Sequence, residues 1–221
     1  MRPNNPNQRE RSKASVPDEE VAEGTTTIGI TAEDSVVLAT EQRASMGTLV
    51  ASKTAKKIYQ VTDDAAMTIS GGVGDGQNLA KTLKVEANLY EMRRGKPITM
   101  TGLASMAGNI MRSYFFYVVP LLGGVDDEGA HVFSLDPAGG VMEEEFASTG
   151  SGSTMAYGVL EDGYDDEITP DEAKTLAVRA LESAMERDTA SGDGMILAEI
   201  TPEEGFRQLD DEEVEAIAAE I

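Results

Sequence analysis

Gly24 is followed by three threonines, Thr25 to Thr27, at the point where a polar stretch gives way to the hydrophobic run TTTIGITAEDSVVLATEQR. Cutting the Gly24–Thr25 bond would give Thr25 a free α-amine, placing a nucleophile and a base on one residue. An unperturbed α-amine titrates at about 7.7 to 8.0, close to where a general base should. The restricted χ1 of threonine also orients the hydroxyl. Other sources of chemistry are scarce. His131 is the single histidine and would have to serve any Ser-His-Asp triad, yet it lies in AHVFSL and reads as a structural strand residue. With no cysteine there is no thiolate and no disulfide, and a zinc site is not expected. The GGVGDG cluster lacks the Lys-Ser or Lys-Thr of a phosphate loop and fails the dinucleotide spacing, so it reads as a strand-to-helix loop.

The segment before Thr25 holds Pro3, Pro6 and Pro17 among polar and charged residues, with little to bury. It reads as a removable leader, residues 1–24, ahead of one domain over 25–221. It has no apolar core of the kind an export signal carries. No run approaches the roughly 18 apolar residues of a membrane span. The formal charge of −22 excludes a nucleic-acid partner, which demands clustered Lys and Arg, and disfavours anionic membranes. Acids recur at 126–128, 143–145, 161–167 and 210–215, which describes an acidic surface. Self-repulsion on that scale suits a salt-rich cytoplasm, where screening at 1 M reaches down to about 3 Å, as in a halophilic archaeon. The absence of cysteine permits a reducing cytosol.

The elements that must position Thr25 follow from periodicity. TTTIGI and SVVLAT, joined by TAED, predict a hairpin, and KKIYQV and AAMTIS predict two further strands. Leu79, Leu83, Ala87 and Tyr90 predict a helix over 77–94, closed by Gly95 and Pro97. Leu103, Met106, Ala107, Ile110, Met111 and Tyr114 predict a second. YFFYVVPLLGGV and AHVFSLDPAGGVMEEEF predict strands, the latter a hairpin about DPAGG. Thr169, Pro170 and Glu172 form a capping box ahead of another helix, GMILAEI predicts a late strand, and 211–221 a final helix. Hairpin-length connections favour antiparallel sheets. Each helix has one apolar stripe, so the economical packing is an α+β, four-layer αββα sandwich of two stacked antiparallel sheets.

The segments GTTTIGI, ATEQR, KKIYQ, GGVGDGQ, STGSGS, AYGVLE and RDTASGDG resemble, in order and approximate spacing, those of proteasome β subunits, archaeal ones above all. The resemblance runs from Gly24 to about Leu209. It implies an amino-terminal-nucleophile hydrolase fold, with Thr25 as nucleophile after autocatalytic removal of the leader. It implies that Glu41 is the acidic partner, where the family mostly has Asp, and that Lys57 is the basic residue that keeps the α-amine neutral. Alone, Lys57 would read as a surface lysine. Arg43 matches a supporting basic residue, and Gly71 the oxyanion-hole glycine. Ser151, Asp188 and Ser191 match residues that hydrogen-bond around the threonine amine. The pocket for the residue before the scissile bond falls on Ala44, Ala55, Tyr59, Ile69, Val73 and Gln77, all without formal charge. An apolar pocket of this kind rewards a buried leucine, tyrosine or phenylalanine by about 1.5 to 3 kcal/mol. Alternating strand positions would equally place such residues in the core.

The resemblance further implies a cytoplasmic threonine endopeptidase without metal or organic cofactor. Its partners would be α subunits, other β subunits in heptameric rings stacked α7β7β7α7, an ATP-dependent unfoldase acting through the α ring, and unfolded polypeptides as substrates. A bacterial-type two-ring threonine peptidase, a non-catalytic ring scaffold and a small-molecule amidase of the same fold are the alternatives. Retention of Gly24, Thr25, Lys57 and Asp188 weighs against the scaffold.

Overall fold

The computed structural model describes residues 24–114 and 116–221, so all of the expected leader except Gly24 lies outside the described residues. In chain order the elements are β1 (Thr26–Ala32), β2 (Ser35–Glu41), β3 (Ala44–Met46), β4 (Leu49–Ser52), β5 (Ile58–Thr62) and β6 (Ala65–Thr68), then α1 (Val73–Arg94) and α2 (Met100–Ser113). There follow β7 (Leu121–Asp126), β8 (Gly129–Leu135), β9 (Val141–Glu144) and β10 (Phe146–Gly150), α3 (Ser153–Gly163) and α4 (Pro170–Arg187), β11 (Met195–Thr201), β12 (Gly205–Gln208) and α5 (Asp211–Ala219). None of these helices is long and apolar enough to cross a membrane.

Two antiparallel five-stranded sheets form, in the orders β10-β1-β2-β11-β12 and β5-β6-β7-β8-β9, and β3 pairs with β4 in a separate ribbon. Strand alternation makes them stack. On β2, Val36 and Leu38 point between the sheets and pack with Ile58, Leu121 and Val132. Val37 and Ala39 point the other way, toward Leu160, Leu176 and Leu181 of α3 and α4. Every residue of β2 is therefore buried. The second sheet behaves likewise, with Met67, Leu122 and Phe133 packed under Leu79 and Leu83 of α1 and Leu103 and Met111 of α2. Four layers result, αββα, as the apolar stripes require. The sheets meet closely because Gly123 has no side chain: a Cβ there would lie 2.8 Å from Val36 and 2.9 Å from Leu38.

Several local expectations change. α1 begins at Val73, so most of the GGVGDG cluster is helix. Gly76 packs directly on Ile69, and the Asp75 carboxylate in the first turn accepts the Tyr117 N–H at 2.8 Å, so tertiary contacts hold the helical turn against glycine's low propensity. Tyr114 caps the C-terminus of α2 and is exposed. The strand expected through YFFYVVPLL starts only at Leu121, with Val118 making a single bridge to Gly71. Phe146 closes no hairpin with β8; it opens β10, which crosses to the other sheet and pairs with β1. Not anticipated were β3, β4, β12 and α3, whose buried residues are only Ala156 and Leu160, too few to mark a period. The Thr169 capping box forms as expected, and α5, ending at Ala219, has an unforeseen one from Asp210 and Glu213.

Candidate active site

β1 lies between β10 and β2, so its first residues are held from both sides. Thr25 immediately precedes it and is 4% exposed. Its Oγ1 donates to the carbonyl oxygen of Gly24 at 2.5 Å, across the bond whose cleavage would free the amine. Gly24 has φ +113°, and a Cβ there would fall 2.0 Å from that of Ala190, so no other residue fits without movement.

The β1–β2 hairpin returns Glu41 to the head of β1. Glu41 is fully buried. Its Oε1 accepts the Thr26 N–H at 3.2 Å, and its Oε2 accepts the N–H groups of Arg43 at 2.6 Å and Gly192 at 3.1 Å. Lys57, which precedes β5 of the other sheet and is 2% exposed, donates to the same Oε1 and to the Arg43 carbonyl at 2.5 Å. One carboxylate oxygen thus joins the ammonium to the Thr26 amide. Burial pushes the Glu41 carboxyl up and the Lys57 ammonium down from their ordinary values, while each partner's charge opposes the shift. The extra methylene of Glu relative to Asp does not prevent the pairing.

On the other side of Thr25, its N–H donates to Ser151 Oγ at 3.3 Å, and the Ser151 hydroxyl donates to Asp188 Oδ2 at 2.5 Å. Ser191 donates to the same Oδ2 at 2.6 Å. Its oxygen lies 2.8 Å from Thr26 Oγ1; with the Ser191 proton on Asp188, Thr26 is the donor. Asp188 is also the C-cap of α4, so the helix end sets its position. Arg43 Nε bonds Asp193 at 2.6 Å and its NH1 reaches the Thr189 carbonyl at 2.8 Å, tying the end of β2 to the 188–194 loop.

Gly71 has φ +102°, and a Cβ would meet the Tyr117 carbonyl oxygen at 2.5 Å. The flanking bonds Gly72 N–H to Tyr117 O and Val119 N–H to Ser70 O make Gly71 and Val118 a non-hydrogen-bonded pair. The N–H of Gly71 is therefore turned away from 117–119, toward the edge where Ile69 N–H bonds the Lys57 carbonyl. Of the pocket positions, Tyr59 and Gln77 meet through Tyr59 Oη and Gln77 Nε2 at 3.4 Å. Ala55, Tyr59 and Val73 are half-buried, Gln77 is exposed and Ala44 is 8% exposed. Ile69 is 3% exposed and packs on Gly76 in the core under α1. That placement makes it a floor of α1 rather than an open wall.

Two groups escaped the sequence reading. A buried hydroxyl chain runs between the sheets: Thr68 donates to Thr27 at 3.0 Å, Thr27 meets Thr149 at 2.8 Å, and Ser70 donates toward Thr149 at 3.1 Å. Ser70 and Thr149 also lie 2.8 and 3.0 Å from the Val119 carbonyl. Gly150 and Gly152 flank Ser151 because a Cβ would lie 1.9 Å from the Thr25 carbonyl oxygen and 2.1 Å from Thr26 Oγ1. The run of three threonines and the spacing of glycines in STGSGS were the available signals.

Two stacked antiparallel sheets between helix layers, with a buried threonine at the head of the first strand, define the amino-terminal-nucleophile hydrolase fold. The family model for proteasome subunits matches residues 21–200. The proteasome subunit beta of Methanothermobacter thermautotrophicus is 53% identical over 90% of this chain and 96% of its own, and that of Methanobrevibacter smithii 52% over 92% and 100%. The proteasome subunit beta of Halorubrum lacusprofundi is 54% identical over 82% of this chain and 75% of its own. The chain belongs to the proteasome β-subunit family.

Proposed function

We propose that this chain is the catalytic β subunit of an archaeal-type 20S core particle, a threonine endopeptidase whose nucleophile is Thr25 Oγ1 after removal of residues 1–24. The observation that carries the reading is the 2.5 Å contact of Thr25 Oγ1 with the Gly24 carbonyl oxygen. In leader removal, Oγ1 attacks the Gly24 carbonyl carbon, the C–N bond breaks with proton transfer to nitrogen, and the α-amine is released. Water then hydrolyses the Gly24 ester. In turnover the amine takes the Oγ1 proton, directly or through water, as Oγ1 attacks a peptide carbonyl. The N–H of Gly71 stabilises the oxyanion. Collapse expels the product amine, carrying the proton, and water hydrolyses the acyl ester. Buried cationic Lys57 favours the neutral amine, and Glu41 holds Lys57. Ser151 and Asp188 orient the amine, with Ser191 bracing Asp188.

Family membership supports assembly with other proteasome subunits. The arrangement proposed is two β heptamers between two α heptamers, in the cytoplasm of a halophilic archaeon, fed with unfolded chains by an ATP-dependent unfoldase. The uncharged lining from Ala44, Ala55, Tyr59 and Val73 favours cleavage after large apolar residues. The test is intact mass of the assembled protein together with hydrolysis of short fluorogenic peptides. The mature chain should begin at Thr25. Thr25→Ala should assemble, keep its leader and hydrolyse nothing. Active particles that retain residues 1–24 would exclude the mechanism, and assembled particles that lose the leader yet cut no peptide would leave a ring scaffold.

A further inference from the structure

The single histidine, set aside above as structural, stands among carboxylates at the opposite end of β7 from the Gly71–Val118 bridge. The β7–β8 register pairs Gly124 with His131 and Asp126 with Gly129. Asp126 and His131 therefore share a face, and each lies opposite a glycine, which leaves their side chains free to meet diagonally. His131 Nε2 is 3.2 Å from Asp126 Oδ1, and Nδ1 is 2.6 Å from Glu143 Oε1 on β9. Both side chains, Asp126 and His131, are only 12% exposed. Glu128, in the turn between the strands, brings a third carboxylate, and ligand atoms of Asp126, Glu128 and His131 all lie within 4.8 Å of one another.

A neutral imidazole has one proton for two acceptors, so donation of Nδ1–H to Glu143 or of Nε2–H to Asp126 leaves the other nitrogen's lone pair facing a carboxylate oxygen. That juxtaposition is repulsive unless a positive charge stands between the two atoms. A separation of 3.2 Å is what two adjacent ligands show when each sits about 2.0 to 2.2 Å from one ion. We propose that Asp126, Glu128 and His131 bind one divalent transition-metal ion, with Glu143 orienting the imidazole from behind. A carboxylate behind a ligating histidine is the usual means of fixing its tautomer. Asp126 is fixed independently: its Oδ2 accepts the N–H of Met100, the first residue of α2, at 2.6 Å, and its Oδ1 accepts the Glu128 N–H at 2.8 Å. One imidazole with two carboxylates and no thiolate suits Zn²⁺ or Mn²⁺ better than Mg²⁺, Ca²⁺ or Cu⁺. The ion would tie the tip of the β7–β8 turn to the start of α2 and to edge strand β9. The proposal does not depend on the role of Thr25.

The competing occupant is a second proton, making His131 an imidazolium bridging Asp126 and Glu143. Zinc decides between them. Full-length protein, stripped with chelator and dialysed against zinc in molar salt to suppress loose binding to the acidic surface, should retain one ion per chain. X-ray absorption should show one imidazole nitrogen among oxygen ligands, and with one histidine in the sequence its assignment is unambiguous. Glu128→Gln, on the exposed turn, should weaken zinc affinity by about tenfold or more. His131→Ala should abolish the specific ion. Zinc retention equal in the wild type and Glu128→Gln, or a spectrum with oxygen ligands only, would overturn the proposal in favour of the imidazolium.

Discussion

At the residue scale the site depends on two kinds of necessity, space and charge. Gly24 is spatial: its positive φ and the 2.0 Å approach to Ala190 mean that Gly24→Ala must displace the Gly24–Thr25 peptide, the bond proposed for cleavage, from Thr25 Oγ1. Intact-mass analysis should find the leader largely retained in that variant, and peptide hydrolysis should fall in proportion to the uncleaved fraction. Complete processing at the wild-type rate would contradict the placement. Lys57 is a matter of charge. Burial holds its ammonium below the usual 10.5, with Glu41 opposing, so it loses its proton at lower pH than a free lysine. On the proposed mechanism, in which this cation keeps the α-amine neutral, the charge is present below that value and is lost as pH rises through it. If Lys57 acts as this cation, the alkaline limb of kcat/KM should lie below pH 10.5, and a limb at or above it would show that the Glu41 charge outweighs burial at Lys57.

At the element scale the first turn of α1 and the inter-sheet hydroxyls carry the argument. Gly76 meets Ile69 at 2.6 to 2.9 Å from where a Cβ would stand. Gly76→Ala should cost about 1 to 3 kcal/mol by overpacking, despite alanine's better helix propensity, as read from urea unfolding. A gain in stability would mean that Ile69 moves freely. The same packing makes Ile69 a poor place to install a charge for redirecting specificity, since an arginine there would be buried without a partner. Ala55 and Tyr59 are the better positions. Thr149 joins Thr27, on β1, and Ser70, just past β6 of the other sheet, so Thr149→Val leaves buried hydroxyls short of a partner. About 1 to 3 kcal/mol should be lost. Thr25 leads into β1 and Gly71 follows β6 of the other sheet, so on the proposed mechanism kcat should fall more than KM rises. Unchanged kcat at reduced stability would confine this chain of hydroxyls to folding.

At the scale of the whole molecule, the charge of −22 dominates. In the proposed assembly, fourteen such chains in two rings would repel strongly where the Debye length is long, roughly 30 Å at 0.01 M, and much less at about 3 Å in 1 M salt. Size-exclusion chromatography should find the assembled particle at molar salt and smaller species at millimolar salt. An identical elution at both would count against a salt-adapted protein. Local ion pairs cannot offset this excess. Lys174 with Asp171 and Glu199, and Arg207 with Glu199 and Glu213, occupy cations against still more acids.

What the sequence by itself determined is whatever is local or periodic. The β1–β2 hairpin, the Thr169 cap, the helical stripes and hence the four layers follow from side-chain spacing, because a face that must be buried announces itself every two or about 3.6 residues. The start of β1 just after Thr25 was legible in another way, as an abrupt change in composition. Only the tertiary structure decided that Lys57, which precedes β5, reaches the same buried oxygen of Glu41, at the end of β2 in the other sheet, that accepts the Thr26 N–H. It also decided that Ser151 and Asp188, separated by a helical pair, meet at Thr25. It set the start of α1 through Tyr117 and Ile69, sent Phe146 to the other sheet, and surrounded His131 with carboxylates. Each of these rests on contacts between residues distant along the chain. A single sequence carries no period for such contacts, and their strength comes from burial, which exists only once the layers have closed.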